Sequence, residues 1–452
     1  MRVYLVTLGC PKNEVDSAGM AALLRQAGHT IVDRPARADL LLVNTCGFIA
    51  PAREESLAAL EDLSRRKRRA QLLVAAGCMA GLYGELLRAV PGVDALLDVA
   101  QLSQVVTLVE RLARGEVPGP LAPPSPVPGA GLSAVHGASA YLKIADGCSA
   151  HCAFCTIPRI KGPYRSAPQD ALLAEARALV AQGVREIVLV AQDTTAYGCD
   201  RGEEDGLPAL VEALLAAVPS LSWLRIMYTF PQHVTPRLVE MVAGHPQVCP
   251  YLDIPLQHAH PATLRRMGRP ADVEQARTLL RRLREGIPDL VLRTTFIVGY
   301  PGESEEEFAA LRAFLQEEAF ERVGVFTYSC EAGTPAARLP GPVPERVALA
   351  RREELMLLQQ EIARRWGEQQ VGRTVEVLVE GVGEEGIVVG RTRWDAPEVD
   401  GLVLARGRAD IGEMVPVRIT AASAYDLWGE VGEAISDRQS ACTDHGSLIA
   451  DS

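Results

Sequence analysis

A chain of 452 residues, 48% hydrophobic and 23% charged, has material for two to four well-buried soluble domains. A net charge of −11 argues against a nucleic-acid binder, since neutralising phosphate takes clustered Lys and Arg, and suits a basic protein partner better. No apolar run approaches membrane-spanning length and residues 1–7 lack the features of an export signal, so ten cysteines point to a reducing cytoplasm and to metal or redox use rather than disulfides.

Residues 1–115 alternate apolar runs with helical patterns, which predicts a parallel α/β domain. Strands are expected at 3–8, 40–43 and 72–75, and a helix at 14–27 that stops at Gly28. Each strand runs into a cysteine: Cys10, Cys46 and Cys78. The C-terminal strand ends of a parallel sheet share one edge, where ligands bind, so these cysteines are expected to converge. Gly9, Gly47 and Gly77 beside them allow close backbone approach. Three unrelated buried thiols are the plainer alternative. The basic run 65–69 ends a helical pattern and reads first as cations complementing a helix dipole, second as a docking patch.

Residues 116–137 carry six prolines between 118 and 128 and read as an extended linker. Residues 138–367 alternate again, with strands expected at 141–145, 186–191, 223–228, 251–255, 291–298 and 323–328, a partial (βα)6 barrel. Directly after its first strand comes Cys148-Ser149-Ala150-His151-Cys152-Ala153-Phe154-Cys155, a C-x3-C-x2-C run. Three thiolates so spaced can wrap one corner of an iron–sulfur cluster and leave an iron open. A zinc site is the alternative, but it wants a fourth ligand, and His151 sits too tightly between two cysteines to supply it. Gln192, Asp193, Gln257 and His258 follow later strands as ligand contacts or capping residues. The acids 303–307 read as a helix start.

Residues 368–434 alternate at period two between glycine-rich turns, which predicts a small antiparallel β-barrel. Twelve acids against six arginines in 371–433 give it a net charge of −6. The tail 435–452 is expected to be disordered. Cys199, Cys249, Cys330 and Cys442 have no partner spacing; Cys330 is expected in the core and Cys199 in an exposed loop.

The C-x3-C-x2-C run, with Phe154 before its last cysteine, resembles the radical S-adenosylmethionine (SAM) signature. Three N-terminal cysteines, a central barrel with that run and a small C-terminal β-barrel together resemble the radical SAM methylthiotransferase family over about residues 1–433. Leu8-Gly9-Cys10-Pro11-Lys12-Asn13, Val43-Asn44-Thr45-Cys46-Gly47-Phe48-Ile49, Tyr141-Leu142-Lys143-Ile144-Ala145-Asp146-Gly147-Cys148 and the stretch 390–401 are similar to the branch that modifies an aspartate β-carbon in ribosomal protein uS12. The resemblance implies two 4Fe–4S clusters. One, on Cys148, Cys152 and Cys155, binds and reductively cleaves SAM. The other, on Cys10, Cys46 and Cys78, carries the sulfur. It further implies SAM contacts from Phe154, Gln192, Asp193 and Gln257, a TRAM domain presenting the substrate, an electron donor and a sulfur donor. No side chain is expected to act as catalytic acid or base, because the hydrogen removed is not acidic. uS12, free or in the small ribosomal subunit, is the expected partner, with no nucleic acid as direct substrate; the acidic barrel favours it over the tRNA-adenosine branch. An N-terminal cluster that only moves electrons and a zinc-binding RNA scaffold are the remaining alternatives.

Overall fold

A computed structural model describes residues 1–116 and 133–432. The proline-rich stretch from 118 to 128, the tail and Cys442 lie outside the described residues. The chain divides into two compact units after Ala363.

The first sheet comprises β1 (Arg2–Thr7), β2 (Thr30–Ile31), β3 (Leu40–Thr45), β4 (Leu72–Gly77) and β5 (Ala95–Asp98), all parallel, in the order β2-β1-β3-β4-β5. β3 is buried along its whole length, as its continuous apolar run requires of a central parallel strand. In this order the topology reverses between β1 and β3, and the crevice at such a switch point is where doubly wound sheets bind ligands. Cys10 and Cys46 follow those two strands. β2 and β5, at the edges, were not expected; two and four residues are too short for periodicity to register. The first helix, α1 (Pro11–Gln26), starts three residues earlier than its apolar pattern suggests, because Pro11 presets the first helical turn directly after Cys10. α2 (Ala50–Arg66) and α3 (Cys78–Leu82) follow β3 and β4. The basic run ends α2: Arg66 pairs with Asp62 at 3.0 Å and Lys67 with Asp94 at 2.8 Å, which is the structural reading.

The second sheet has β6 (Ser133–His136), β7 (Ser139–Lys143), β10 (Glu186–Val190), β11 (Trp223–Ile226), β12 (Val248–Asp253), β13 (Val291–Val298) and β14 (Arg322–Thr327), while β8 (Ala145–Asp146) pairs with β9 (Arg165–Ser166). Its order is β14-β13-β12-β11-β10-β7-β6, with six parallel strands and β6 added as an antiparallel edge. β6 begins inside the stretch expected to be linker. The helix Glu305–Glu318 starts with a capping box between Ser304 and Glu307. Glu303 is therefore not part of the helix start: it is buried and accepts hydrogen bonds from the Gly299 and Tyr300 amides. Burial opposes ionisation of Glu307, but hydrogen bonds from Arg266 and Thr263 prevail and bring its carboxyl down to about 2. A depressed carboxyl stabilises the fold above its ordinary 4.5 and stops doing so as the pH falls through about 2. Glu307→Gln is expected to lower the melting temperature at neutral pH and to flatten its fall across that window, read by thermal unfolding against pH.

The C-terminal unit holds a closed five-stranded barrel of β15 (Thr374–Val382), β16 (Ile387–Thr392), β17 (Val403–Arg406), β18 (Met414–Ala422) and β19 (Leu427–Val431), closing as β15-β16-β17-β19-β18. It is not wholly antiparallel: β17 and β19 pair parallel. A ring with an odd number of strands cannot alternate direction all the way round, so one parallel pair is unavoidable.

Candidate functional site

The three N-terminal cysteines meet at the C-terminal edge of the first sheet. Gly9, at φ +100°, has no room for a side chain: a Cβ there would lie 2.8 Å from the Cβ of Cys46 and 2.9 Å from its sulfur. A Cβ on Gly47 would come within 3.2 Å of the Cys78 carbonyl. Two asparagines lace the loops together. Asn13 Nδ2 donates to the carbonyls of Leu8 at 2.8 Å and Thr45 at 3.3 Å, and its Oδ1 lies 3.5 Å from Cys78 Sγ. Asn44 donates to the Asn13 carbonyl and to Ser17 Oγ, both at 2.9 Å. Both asparagines lie in the motif stretches, yet their positioning role is visible only in three dimensions. Burial pushes the Cys46 thiol up and the Cys78 thiol to about 12, and the neighbouring sulfurs add to both shifts. Burial likewise lowers Lys12, opposed by the charge of Cys10.

The second trio follows β8 at the C-terminal face of the second sheet. The Cys148 amide donates to Gly162 O at 3.1 Å, and its sulfur accepts from the Ala150 amide at 3.4 Å. The Ala153 amide reaches Met267 O at 2.8 Å, and the Ala153 carbonyl accepts from Ala336 at 2.9 Å, so the loop is pinned on both sides. Arg269 Nη1 lies 3.8 Å from Cys152 Sγ, with its guanidinium 4.0 Å from the Phe230 ring centre. Burial raises the Cys148 thiol and pushes Cys155 up to about 12; Arg269 works against both shifts. Gly147 sits at φ +74°, and a Cβ there would lie 2.1 Å from Pro163 O. Gly147→Ala is therefore expected to cost about 2–4 kcal/mol, combining left-handed strain with a backbone clash. Thermal unfolding and iron content after reconstitution check it.

All six thiols are free. Each trio offers three thiol donors, which suits a polynuclear cluster that leaves one iron open better than a structural zinc site, which closes with four ligands.

The proposed SAM contacts fall in different states. Phe154 is half-buried and packs on the cluster formed by Ala153, Met267, Tyr300 and Ala336. Gln192 and Gln257 are half-buried, and neither side chain has a hydrogen-bond partner among the described residues. Gln257 holds a left-handed backbone, φ +73°, beside Phe296. Asp193 is already committed: it accepts from Thr195 Oγ1 at 2.6 Å and the Ala196 amide at 3.2 Å, and pairs with His233 at 2.9 Å. His258 is buried, accepts from the His260 amide at 3.0 Å and lies 3.4 Å from Glu303. Cys249 is buried and Cys199 exposed. Cys330 is exposed, not in the core, because the loop after β14 turns Glu331 inward instead.

A buried charge cluster that the local sequence pattern does not mark joins the segments that carry the two trios. Asp16 of α1 accepts from Lys143 and, at 3.1 Å, from Lys161. Asp146 faces the same lysines at 3.2 and 3.0 Å. Its only local trace is a lysine ending the otherwise apolar strand before Cys148. Across the same unit, Glu331 accepts from Arg53 and, at 2.9 Å, from the Ala50 amide that opens α2.

Comparison with known proteins decides the family. Residues 2–98 match the uncharacterized protein family UPF0004, residues 142–315 the radical SAM superfamily and residues 371–431 the TRAM domain. The chain is 49% identical to the ribosomal protein uS12 methylthiotransferase RimO of Roseiflexus sp. RS-1, over 97% of this chain and 98% of that protein. It is also 49% identical to the protein of that name from Chloroflexus aurantiacus, over 95% and 99%. The chain belongs to the RimO methylthiotransferase family. As a member of the RimO family it is a radical SAM enzyme, and its cofactors are SAM and two 4Fe–4S clusters. Among solved structures, the radical SAM methyltransferase TsrM of Kitasatospora setae, with cobalamin and a [4Fe-4S] cluster bound, superposes with a TM-score of 0.55 at 14% identity, covering 85% of this chain and 80% of that one. At that identity the likeness concerns the fold of this RimO-family chain.

Proposed function

We propose that this enzyme attaches a methylthio group to the β-carbon of an aspartate in ribosomal protein uS12. Cys148, Cys152 and Cys155 hold the cluster that binds SAM, and Cys10, Cys46 and Cys78 hold the second. The observation that carries the reading is the trio of Cys10, Cys46 and Cys78, on its own sheet edge, in a chain nearly half identical to proteins named uS12 methylthiotransferases. When bound, the clusters and SAM supply the one-electron chemistry that breaks an unactivated C–H bond and the sulfur group that replaces it.

This chain's residues bind, orient and exclude water. Asn13 and Asn44 fix the N-terminal loops, and Arg269 places a cation beside the second trio. Gln192 and Gln257 have side chains free to hold SAM, and Phe154 offers an apolar wall. Asp193 contributes through the His233 pair it already makes. The acidic C-terminal barrel complements a basic ribosomal protein better than tRNA. A cytoplasmic setting, a separate electron donor and a separate sulfur donor complete the reading.

The test is anaerobic reconstitution, then incubation of recombinant uS12 with SAM, reductant and sulfide and analysis by peptide mass. A methylthio adduct on one aspartate is expected. Unmodified uS12 alongside active SAM cleavage would sink the substrate assignment, and tRNA would be assayed next.

A further inference from the structure

Three lysines lie around the N-terminal trio, and one of them differs from the other two. Lys143 and Lys161 each face two carboxylates. Lys12 has no carboxylate within ion-pair distance among the described residues, although its side chain is almost wholly buried, with 6% of the residue exposed. A buried lysine with no carboxylate beside it is costly to keep charged, and an anion arriving at it offsets that cost.

The direction of Lys12 says where that anion would sit. The residue leaves the first turn of α1, two positions after Cys10. Its Nζ rests 3.5 Å from the ring centre of Tyr228. Tyr228 comes from the loop after β11, at the C-terminal end of the strands and on the same face as the Cys148 loop. Its backbone is held in the left-handed region, φ +59°, by a bond from the Thr194 amide to its carbonyl at 2.9 Å. Such strain in a non-glycine residue persists where the surroundings over-determine it, and it concentrates at ligand clamps. The ring covers one side of the ammonium but neutralises none of its charge. The cation thus bridges the first turn of α1, which follows Cys10, and the loop after β11.

We infer that Lys12 is the recognition group for the side-chain carboxylate of the substrate aspartate. The inference rests on the proposed function: modification at an aspartate β-carbon places a carboxylate one bond from the reacting carbon. That carboxylate must enter the space between the two trios, where Lys12 is a buried cation with no carboxylate within ion-pair distance among the described residues; Arg269, likewise buried and without a carboxylate, is committed to the Pro255 carbonyl and Cys152. Asparagine, equal in size but neutral, would leave the ammonium uncompensated and be rejected.

The test is equilibrium binding without reductant, so that no turnover occurs. Holoenzyme is titrated with uS12 and with uS12 carrying Asp→Asn at the modified position. The parent is expected to favour the aspartate form by roughly tenfold or more, the scale of a charge-assisted hydrogen bond. Lys12→Met is expected to bind both forms alike with its iron content intact, and Lys12→Arg to restore part of the preference. Undiminished discrimination by Lys12→Met, or loss of its iron with retention by Lys12→Arg, overturns the inference, the second because Lys12 would then serve the cluster. A parent that methylthiolates uS12 while Lys12→Met discriminates as before sinks the lysine's role alone. A parent that neither binds nor modifies uS12 sinks the proposed function, and the inference with it.

Discussion

Replacing Cys10, Cys46 and Cys78 together by alanine is expected to leave SAM cleavage within about threefold of the parent, because the other trio is carried by a separate sheet. Methylthiolation of uS12 should fall to background, and iron per chain should drop by half, as expected when one of two like clusters is lost. Replacing Cys148, Cys152 and Cys155 should instead abolish both activities and remove the other half of the iron. The asymmetry is informative because the trios are built differently. The second lies in one short loop pinned to Met267 and Ala336, so it can assemble without the first sheet's edge. The first draws one residue from each of three loops whose contact depends on glycines and on Asn13 and Asn44. Quantifying 5′-deoxyadenosine and adducted uS12 in the same reactions checks the prediction. Loss of SAM cleavage in the N-terminal triple variant, with its secondary structure intact, would mean that the first trio only feeds electrons to the second.

Cys148, Cys152 and Cys155 stand out in the sequence as a candidate cluster site because their spacing is local. Cys10, Cys46 and Cys78 do so for a different reason: each ends an apolar run, and the strand-end rule converts that position into proximity. What stayed hidden depended on tertiary packing. No local signal marks Asn13 and Asn44 as the ties between three loops. Glu303 lies in an acid-rich run and looked like a helix start, but its burial against the Gly299–Tyr300 turn is set by chain reversal. Cys330 follows a strand by the same rule that worked for Cys10, yet there the loop carries Glu331 inward and leaves the thiol outside. The parallel β17–β19 pair follows from strand number and closure, and a period-two pattern carries neither.

Asp16→Asn is expected to be among the most damaging single changes in the chain, at about 3–5 kcal/mol, although the residue is no proposed cluster ligand. Asp16, Lys143 and Lys161 are each at most 3% exposed at the side chain, and Asp146 completes a group of two acids and two bases. Burial works against the Asp146 charge, but Lys143 and Lys161 outweigh it and hold its carboxyl well below the ordinary 3.8. Neutralising Asp16 leaves two buried ammonium groups sharing one carboxylate, and breaking such a group costs far more than forming it gains. The exposed pair of Arg66 and Asp62, at 3.0 Å, is the control: Asp62→Asn should change stability by under about 0.5 kcal/mol. Position gives the buried group its consequence for function. Asp16 lies six residues after Cys10, Asp146 two before Cys148 and Lys161 six after Cys155. The four charges therefore register the segments of both trios against each other, and a loosened register should weaken magnetic coupling between the reduced clusters as well as lower the melting temperature. Thermal unfolding of the apoprotein and paramagnetic resonance of the reconstituted enzyme separate the two effects. An Asp16→Asn variant that melts with the Asp62→Asn control would show that the acid is dispensable for stability, and unchanged coupling would remove its role in setting the distance.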